Sequence, residues 1–181
     1  CSPWRPAPLS GRRPIMETPR LRLRYLTLQD AAFILELLND PEFIRNIGDR
    51  GVRTLEAARS YIQSGAVTGY HNGGLGLFLV ELKQDATPIG VCGLLKRDYL
   101  PDVDVGFALH EGFRGQGYAF EAAEAVMRRG REVLGYGKIV AITSPENHAS
   151  IKLLQRLGLV YERTLRAPDV KRDTSLFTPA T

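Results

Sequence analysis

A chain of 181 residues has room for one domain with a real core, and 44% hydrophobic with 24% charged residues is ordinary for a globular protein. No apolar run approaches the ~20 residues of a membrane-crossing helix, and the start lacks the apolar stretch of a secretory signal. The net charge is +4, but Arg5, Arg12 and Arg13 supply three of those charges, so the rest of the chain is close to neutral, which disfavours a dedicated nucleic-acid surface.

Residues 1–15 hold four prolines and show no periodicity. They read as a flexible leader or a cloning or start-site artefact, with Met16 as the natural start and residues 16–181 as the folded domain. Arg20 to Thr27 (RLRLRYLT) alternates apolar and polar residues, the pattern of a half-buried strand. Thr27 with Asp30 three residues on resembles a capping box, and Ala31, Ile34, Leu35 and Leu38 give the helix that follows its apolar face. Asn39-Asp40-Pro41 stops that helix. The segment 43–53 reads as an irregular acceptor-facing loop, and a second helical piece covers Leu55 to Ser64 behind Thr54. Segments 64–74 and 98–102 are the other expected acceptor loops.

Leu75–Leu82 and Pro88–Lys96 form an antiparallel pair across a short turn. A strand from Val103 then runs into Arg114-Gly115-Gln116-Gly117-Tyr118-Ala119, and a helix opens at once, continuing to Leu134. That helix is expected to pack Ala119, Ala123, Val126, Gly130 and Val133 on one side. Lys138–Ser144 is a short strand. Asn147 opens a last helix, with Ser150, Leu153, Leu154 and Leu157 on one stripe, and Leu159–Leu165 and Asp173–Thr178 are the final strands. Antiparallel strands followed by β–α–β crossovers predict a single-domain α/β fold with a mixed, mostly antiparallel sheet and helices on both faces.

The strand–glycine loop–helix at 103–134 is a device for holding phosphate. Main-chain N–H groups at a helix start have no intrahelical partner, and the helix dipole favours an anion there. A dinucleotide fingerprint fails because Phe120 stands where a third glycine is needed, and no Gly-Lys-Ser/Thr ends a Walker loop. Cys1 and Cys92 make neither a disulfide framework nor a zinc site, and they fit a reducing cytosol. No H-E-x-x-H or paired-cysteine spacing implies a metal.

Arg114-x-x-Gly117-x-Ala119 resembles the R/Q-x-x-G-x-G/A motif of the GNAT superfamily of acetyl-CoA-dependent N-acetyltransferases. The opening TPRLRLRYLTLQDA is similar to the first strand and helix of its ribosomal-protein N-terminal acetyltransferase branch, the Rim type. Pro88-Ile-Gly-Val-Cys-Gly-Leu, Val105-Gly-Phe-Ala-Leu and Asn147-His-Ala-Ser150 followed by Leu157-Gly158-Leu159 extend the likeness over residues 18–178. The resemblance implies a splayed fourth and fifth strand pair, with acetyl-CoA lying between them as co-substrate. It implies pyrophosphate on the main chain of Gly115, Gln116, Gly117, Tyr118, Ala119 and Phe120, and pantetheine beside Phe107, Ala108 and Leu109. Arg114 touches phosphate or caps the solvent edge. Asn147 caps its helix and bonds the cofactor or a water.

The chemistry implied is direct attack of a neutral primary amine on the thioester. One branch of the superfamily uses a tyrosine acid and a glutamate base, but Leu154 and Ile142 stand at those positions here. The Rim-type likeness points instead to Ser150 as the proton donor to the thiolate and to Glu162 as base, with Asp104 as the rival base. His110, His71 and His148 match no catalytic position. The leading acceptor is a protein N-terminal α-amine, with small-molecule amines such as polyamines or aminoglycosides as alternatives. A non-catalytic CoA-binding module is the reading from a different class.

Overall fold

The structure, a computed structural model, describes residues 14–67, 75–167 and 172–180. His71 and most of the leader lie outside the described residues, as does the greater part of the second acceptor loop. Two short strands, β1 (Met16–Glu17) and β2 (Leu21–Tyr25), are followed by α1 (Ala31–Leu38), α2 (Pro41–Asn46) and α3 (Leu55–Ile62). Then come β3 (Gly76–Leu82), β4 (Pro88–Leu95) and β5 (Val103–Leu109), helix α4 (Tyr118–Glu132), β6 (Ile139–Thr143), α5 (His148–Arg156), β7 (Leu159–Ala167) and β8 (Arg172–Pro179).

The eight strands form one sheet in the order β1-β2-β3-β4-β5-β6-β8-β7. Each neighbouring pair is antiparallel except β5–β6. Side-chain alternation divides the core between the two faces. On one face Phe78, Val80, Cys92 and Val105 pack beneath Ala122, Ala123, Val126 and Met127 of α4, joined by Leu154 of α5. On the other, Leu79 and Val91 meet Ile34, Leu38, Phe43 and Ile62 from α1, α2 and α3. The expected single-domain α/β sheet with helices on both faces is therefore the observed one.

Three local expectations are corrected. Residues 43–46 are helical, not irregular, because Asp40 both ends one helix and caps the next. Its carboxylate accepts from the main-chain N–H groups of Glu42 (2.9 Å) and Phe43 (3.4 Å), and Pro41 sits at the first helical position, where no N–H is needed. Val133 lies just beyond α4 and is 70% exposed, so the inward face is completed by Ala122 and Met127 instead. Arg24, on the polar side of β2, is not solvated but buried. Its guanidinium meets Asp30 at 2.9 Å and Glu81 at 3.2 Å, and these partners raise its pKa although burial opposes it. Removing one member of such a buried set leaves an uncompensated charge, at a cost of about 3–5 kcal/mol.

Candidate functional site

The site begins where the sheet comes apart. β5 and β6 pair only at Val103–Ile139 and Asp104–Val140, although β5 runs on to Leu109 and β6 to Thr143. Past that point the two strands have no ladder between them, and two adjoining cavities of about 470 and 180 Å3 occupy the opening. Both are walled by Phe43, Asn46 and Ile47 at α2, by Phe107 and Ala108 of β5, and by Asn147 and Ser150 at the start of α5.

The larger cavity is lined by Phe107, Ala108, Leu109, Arg114, Gly115, Gly117, Tyr118, Ala119, Phe120 and Asn147. Of the expected cofactor residues only Gln116 is not in this wall. Its carbonyl accepts from Arg20 Nη1 at 3.0 Å, so it faces the back of the loop. Gly115 and Gly117 have φ of 76° and 83°, the left-handed region that side chains resist. Gly117 caps α4 with no side chain, and the helical ladder starts with Glu121 N–H donating to the Gly117 carbonyl. The N–H groups of Tyr118, Ala119 and Phe120 consequently have no carbonyl within the helix to bond.

The register of β5 sorts its main chain. His110 N–H donates to the Ile89 carbonyl at 2.8 Å, and the β4–β5 pairing is unbroken from Asp104 to Leu109. Alternation then turns the N–H and C=O of Ala108 toward β4, and those of Phe107 and Leu109 toward the opening. The contact is tight on the β4 side, where a Cβ on Gly90 would lie 2.2 Å from the Ala108 oxygen. The main chain of Ala108 is thereby committed to β4, which corrects the expected main-chain role beside pantetheine, although the residue still lines the cavity.

Ser150 is half-buried in the wall common to both cavities. Asn147 is the cap of α5, its Oδ1 accepting from Ser150 N–H at 3.2 Å, which fixes where the serine starts. Asp104, 1% exposed, lines the smaller cavity and receives Arg97 Nε at 3.1 Å. Glu162 is different. It is exposed at a bulge of β7, pairs with Arg163 at 3.4 Å, and lines neither cavity. Arg114, in the wall of the larger cavity, is paired with Asp40 (3.1 Å) and Glu42 (2.8 Å). His110 bonds Glu36 and the Gly112 N–H, a local structural role, and His148 is exposed in the first turn of α5. Cys92 is fully buried, and burial pushes its thiol pKa up, so it offers no nucleophile.

Sequence reasoning missed two contributions. α2 supplies Phe43 and Asn46 to the walls of both cavities, and Asp-Pro followed by a helical run was the available signal. Lys152 and Arg156, one turn apart on α5, also line the larger cavity, with Arg156 stacked 4.1 Å over the Phe120 ring.

Comparison with known proteins adds to this geometry. Residues 20–160 match the family described as Acetyltransferase (GNAT) domain. The chain is 31% identical over 153 residues to p20 of Bacillus licheniformis, named an uncharacterized N-acetyltransferase, covering 82% of this chain and 84% of that protein. The crystal structure of an acetyltransferase from Agrobacterium tumefaciens strain C58 superposes with a TM-score of 0.77 at 25% identity, over 92% of this chain and 94% of that one. RimL, a ribosomal L7/L12 alpha-N-protein acetyltransferase crystallised with coenzyme A, gives a TM-score of 0.79 over 92% of this chain and 97% of that one. At 17% identity it shares the fold.

Proposed function

This chain belongs to the GNAT acetyltransferase family and is an acetyl-CoA-dependent N-acetyltransferase, and from that premise we propose how its divided cleft performs the transfer. Acetyl-CoA occupies the larger cavity. Its pyrophosphate lies against the N–H groups from Gly115 to Phe120, where glycine leaves the main chain uncovered and the α4 dipole favours anions. Lys152 and Arg156 add positive charge to the same wall. Pantetheine runs beside Phe107 and Leu109, whose main-chain groups supply the edge of the missing ladder. Asn147 bonds the cofactor through what its cap leaves available.

The acetyl group then reaches the wall shared by both cavities, and the amine enters from the smaller one. The amine nitrogen attacks the thioester carbon. The Phe107 N–H is the oxyanion donor supported by the β5 register, because it is fixed before the reaction and faces the opening. The C–S bond breaks, and Ser150 Oγ donates its proton to the departing sulfur and recovers one from solvent. The proton lost by nitrogen passes to water, which suffices for an α-amine with pKa near 8. If a carboxylate assists, Asp104 has the supporting position and Glu162 does not. Buried Cys92 favours this direct attack over an acyl-cysteine intermediate.

The acceptor of this reading is the α-amine of a protein or peptide N-terminus, in the manner of the Rim-type branch. The fold shared with RimL supports it. The observation that carries the mechanism is Ser150, the one predicted catalytic side chain in the wall that both cavities share. Free-thiol release from acetyl-CoA, followed with an amine panel, tests it. Ser150→Ala is expected to lower kcat about 10²-fold while the acetyl-CoA KM stays within about twofold. Unchanged turnover would remove Ser150 from the chemistry. CoA binding without transfer to any amine would leave a CoA-binding module.

A further inference from the structure

The wall of the smaller cavity holds a glycine that packing does not require. We infer that Gly106 sets the room for the acceptor, and that the N-terminal residue whose amine reacts carries a bulky apolar side chain seated over it. The inference deepens the proposed function and rests on its reading that this cavity receives a peptide N-terminus.

Strands β4 and β5 contain Gly90, Gly93 and Gly106, and their surroundings differ. A Cβ on Gly90 would lie 2.2 Å from the Ala108 oxygen, and one on Gly93 would lie 2.0 Å from the Gly76 oxygen. Main chain therefore excludes a side chain at both. Gly106, opposite Gly93 in the ladder, is not confined in this way. Its φ lies outside the left-handed region, and a Cβ there would meet Leu95 Cδ1 at 3.5 Å and Leu77 Cδ2 at 3.7 Å, both ordinary contacts. A glycine inside a strand weakens it, because it orders a freer chain and packs no side chain. Neither backbone shape nor crowding accounts for this one, which leaves the close approach of a ligand.

The surroundings of Gly106 give that ligand its chemistry. The glycine lines the smaller cavity and not the larger one. The direction its side chain would take leads toward Leu77 and Leu95, which line the same cavity together with Phe43, Ile47, Tyr61 and Ile142. A group placed over Gly106 is therefore set among apolar side chains, and removing apolar surface from water there favours an apolar group. The position also suits the reaction. The N–H of Phe107, the oxyanion donor of the proposed mechanism, belongs to the peptide unit that begins at the Gly106 carbonyl. An amine attacking a carbonyl held by that N–H brings the side chain on its own α-carbon close to Gly106. Peptides beginning with a larger apolar residue fill this space, and those beginning with alanine leave it empty.

The test uses two pentapeptides with free N-termini, differing only in Leu or Ala as the first residue. Thiol release from acetyl-CoA is expected to give the Leu peptide a kcat/KM about tenfold above that of the Ala peptide. Gly106→Val fills the space over the glycine and is expected to lower this ratio by about tenfold. The ratio is the readout because both peptides react through the same groups, so a disturbed Phe107 N–H affects the two alike. Gly106→Ala adds a single carbon in ordinary contact. It is expected to lower the ratio about threefold and to keep or raise the melting temperature, so the inference is tested even where valine prevents folding. A wild-type ratio of one or less would overturn the inference, as would a ratio unaltered in these variants. A lower melting temperature in Gly106→Ala would also overturn it, by making the glycine a requirement of the fold. In those cases acetyl transfer to N-termini still stands. If neither peptide is acetylated, the proposed acceptor falls, and this inference with it.

Discussion

At the scale of single residues, Arg114 changes meaning most. Its place in R-x-x-G-x-A was legible from spacing, but its partners, Asp40 and Glu42, lie 74 and 72 positions earlier and no local pattern announces them. Asp40 is nearly buried. Burial alone would raise its pKa, yet the Arg114 guanidinium and the N–H groups of Glu42 and Phe43 hold it below the usual carboxylate range. The arginine thus ties the phosphate loop to α2, which lines both cavities. A strut and a phosphate ligand predict different kinetics. Two-substrate steady-state measurements should show Arg114→Ala and Asp40→Asn each raising the amine KM by roughly tenfold, more than the acetyl-CoA KM. A phosphate ligand would instead give a higher acetyl-CoA KM in Arg114→Ala and no effect in Asp40→Asn. Glu162 illustrates the opposite failure of legibility. A family position carried it to the site, while the bulge of β7 sets its side chain in solvent.

At the scale of elements, the glycine loop and the start of α4 are held from behind by Arg20. Arg20 Nε meets Glu121 Oε1 at 2.8 Å, its Nη1 meets the Gln116 carbonyl at 3.0 Å, and its guanidinium stacks 4.4 Å over Tyr118. Glu121 also accepts from the Arg20 N–H and the Thr18 hydroxyl. An acid in the first helical turn suits the dipole but competes with a phosphate for the same positive end, and Arg20 offsets that competition. Arg20→Ala is expected to raise the acetyl-CoA KM about fivefold with kcat unchanged, since the loop loses position and the reacting atoms do not. The same clasp has a pH signature. Burial would raise the Glu121 pKa, but Thr18 and Arg20 lower it further, so the net shift is downward. Its contribution to stability is present above the unfolded value of about 4.3 and is lost as pH falls through the lower folded value. Denaturant titrations at about pH 5 and pH 3.5 should show a smaller loss of stability in Glu121→Gln than in wild type. The loop was readable because glycine spacing and an abrupt helical pattern are local signals. The clasp was not, because it joins residues about a hundred positions apart.

At the scale of the molecule, the order of strands and long helices followed from alternation, helical spacing and turn residues, since each is decided within a few positions. α2 was absorbed into a loop because Asp40-Pro41 reads as an end as readily as a beginning. Periodicity said nothing of how far β5 and β6 pair. That came from family resemblance, and the structure supplies its form, a ladder that stops after Asp104 and Val140. The whole sheet serves this interruption: β4 fixes β5 on one side, β8 holds β6 on the other, and α4 and α5 close the ends. The most direct measurement is a crystal structure with coenzyme A bound. The account predicts pyrophosphate oxygens about 3 Å from N–H groups between Gly115 and Phe120, pantetheine bonded to the main chain of Phe107 or Leu109, and sulfur within hydrogen-bond reach of Ser150 Oγ. Coenzyme A seated outside this cleft, or a sulfur remote from Ser150, would contradict it.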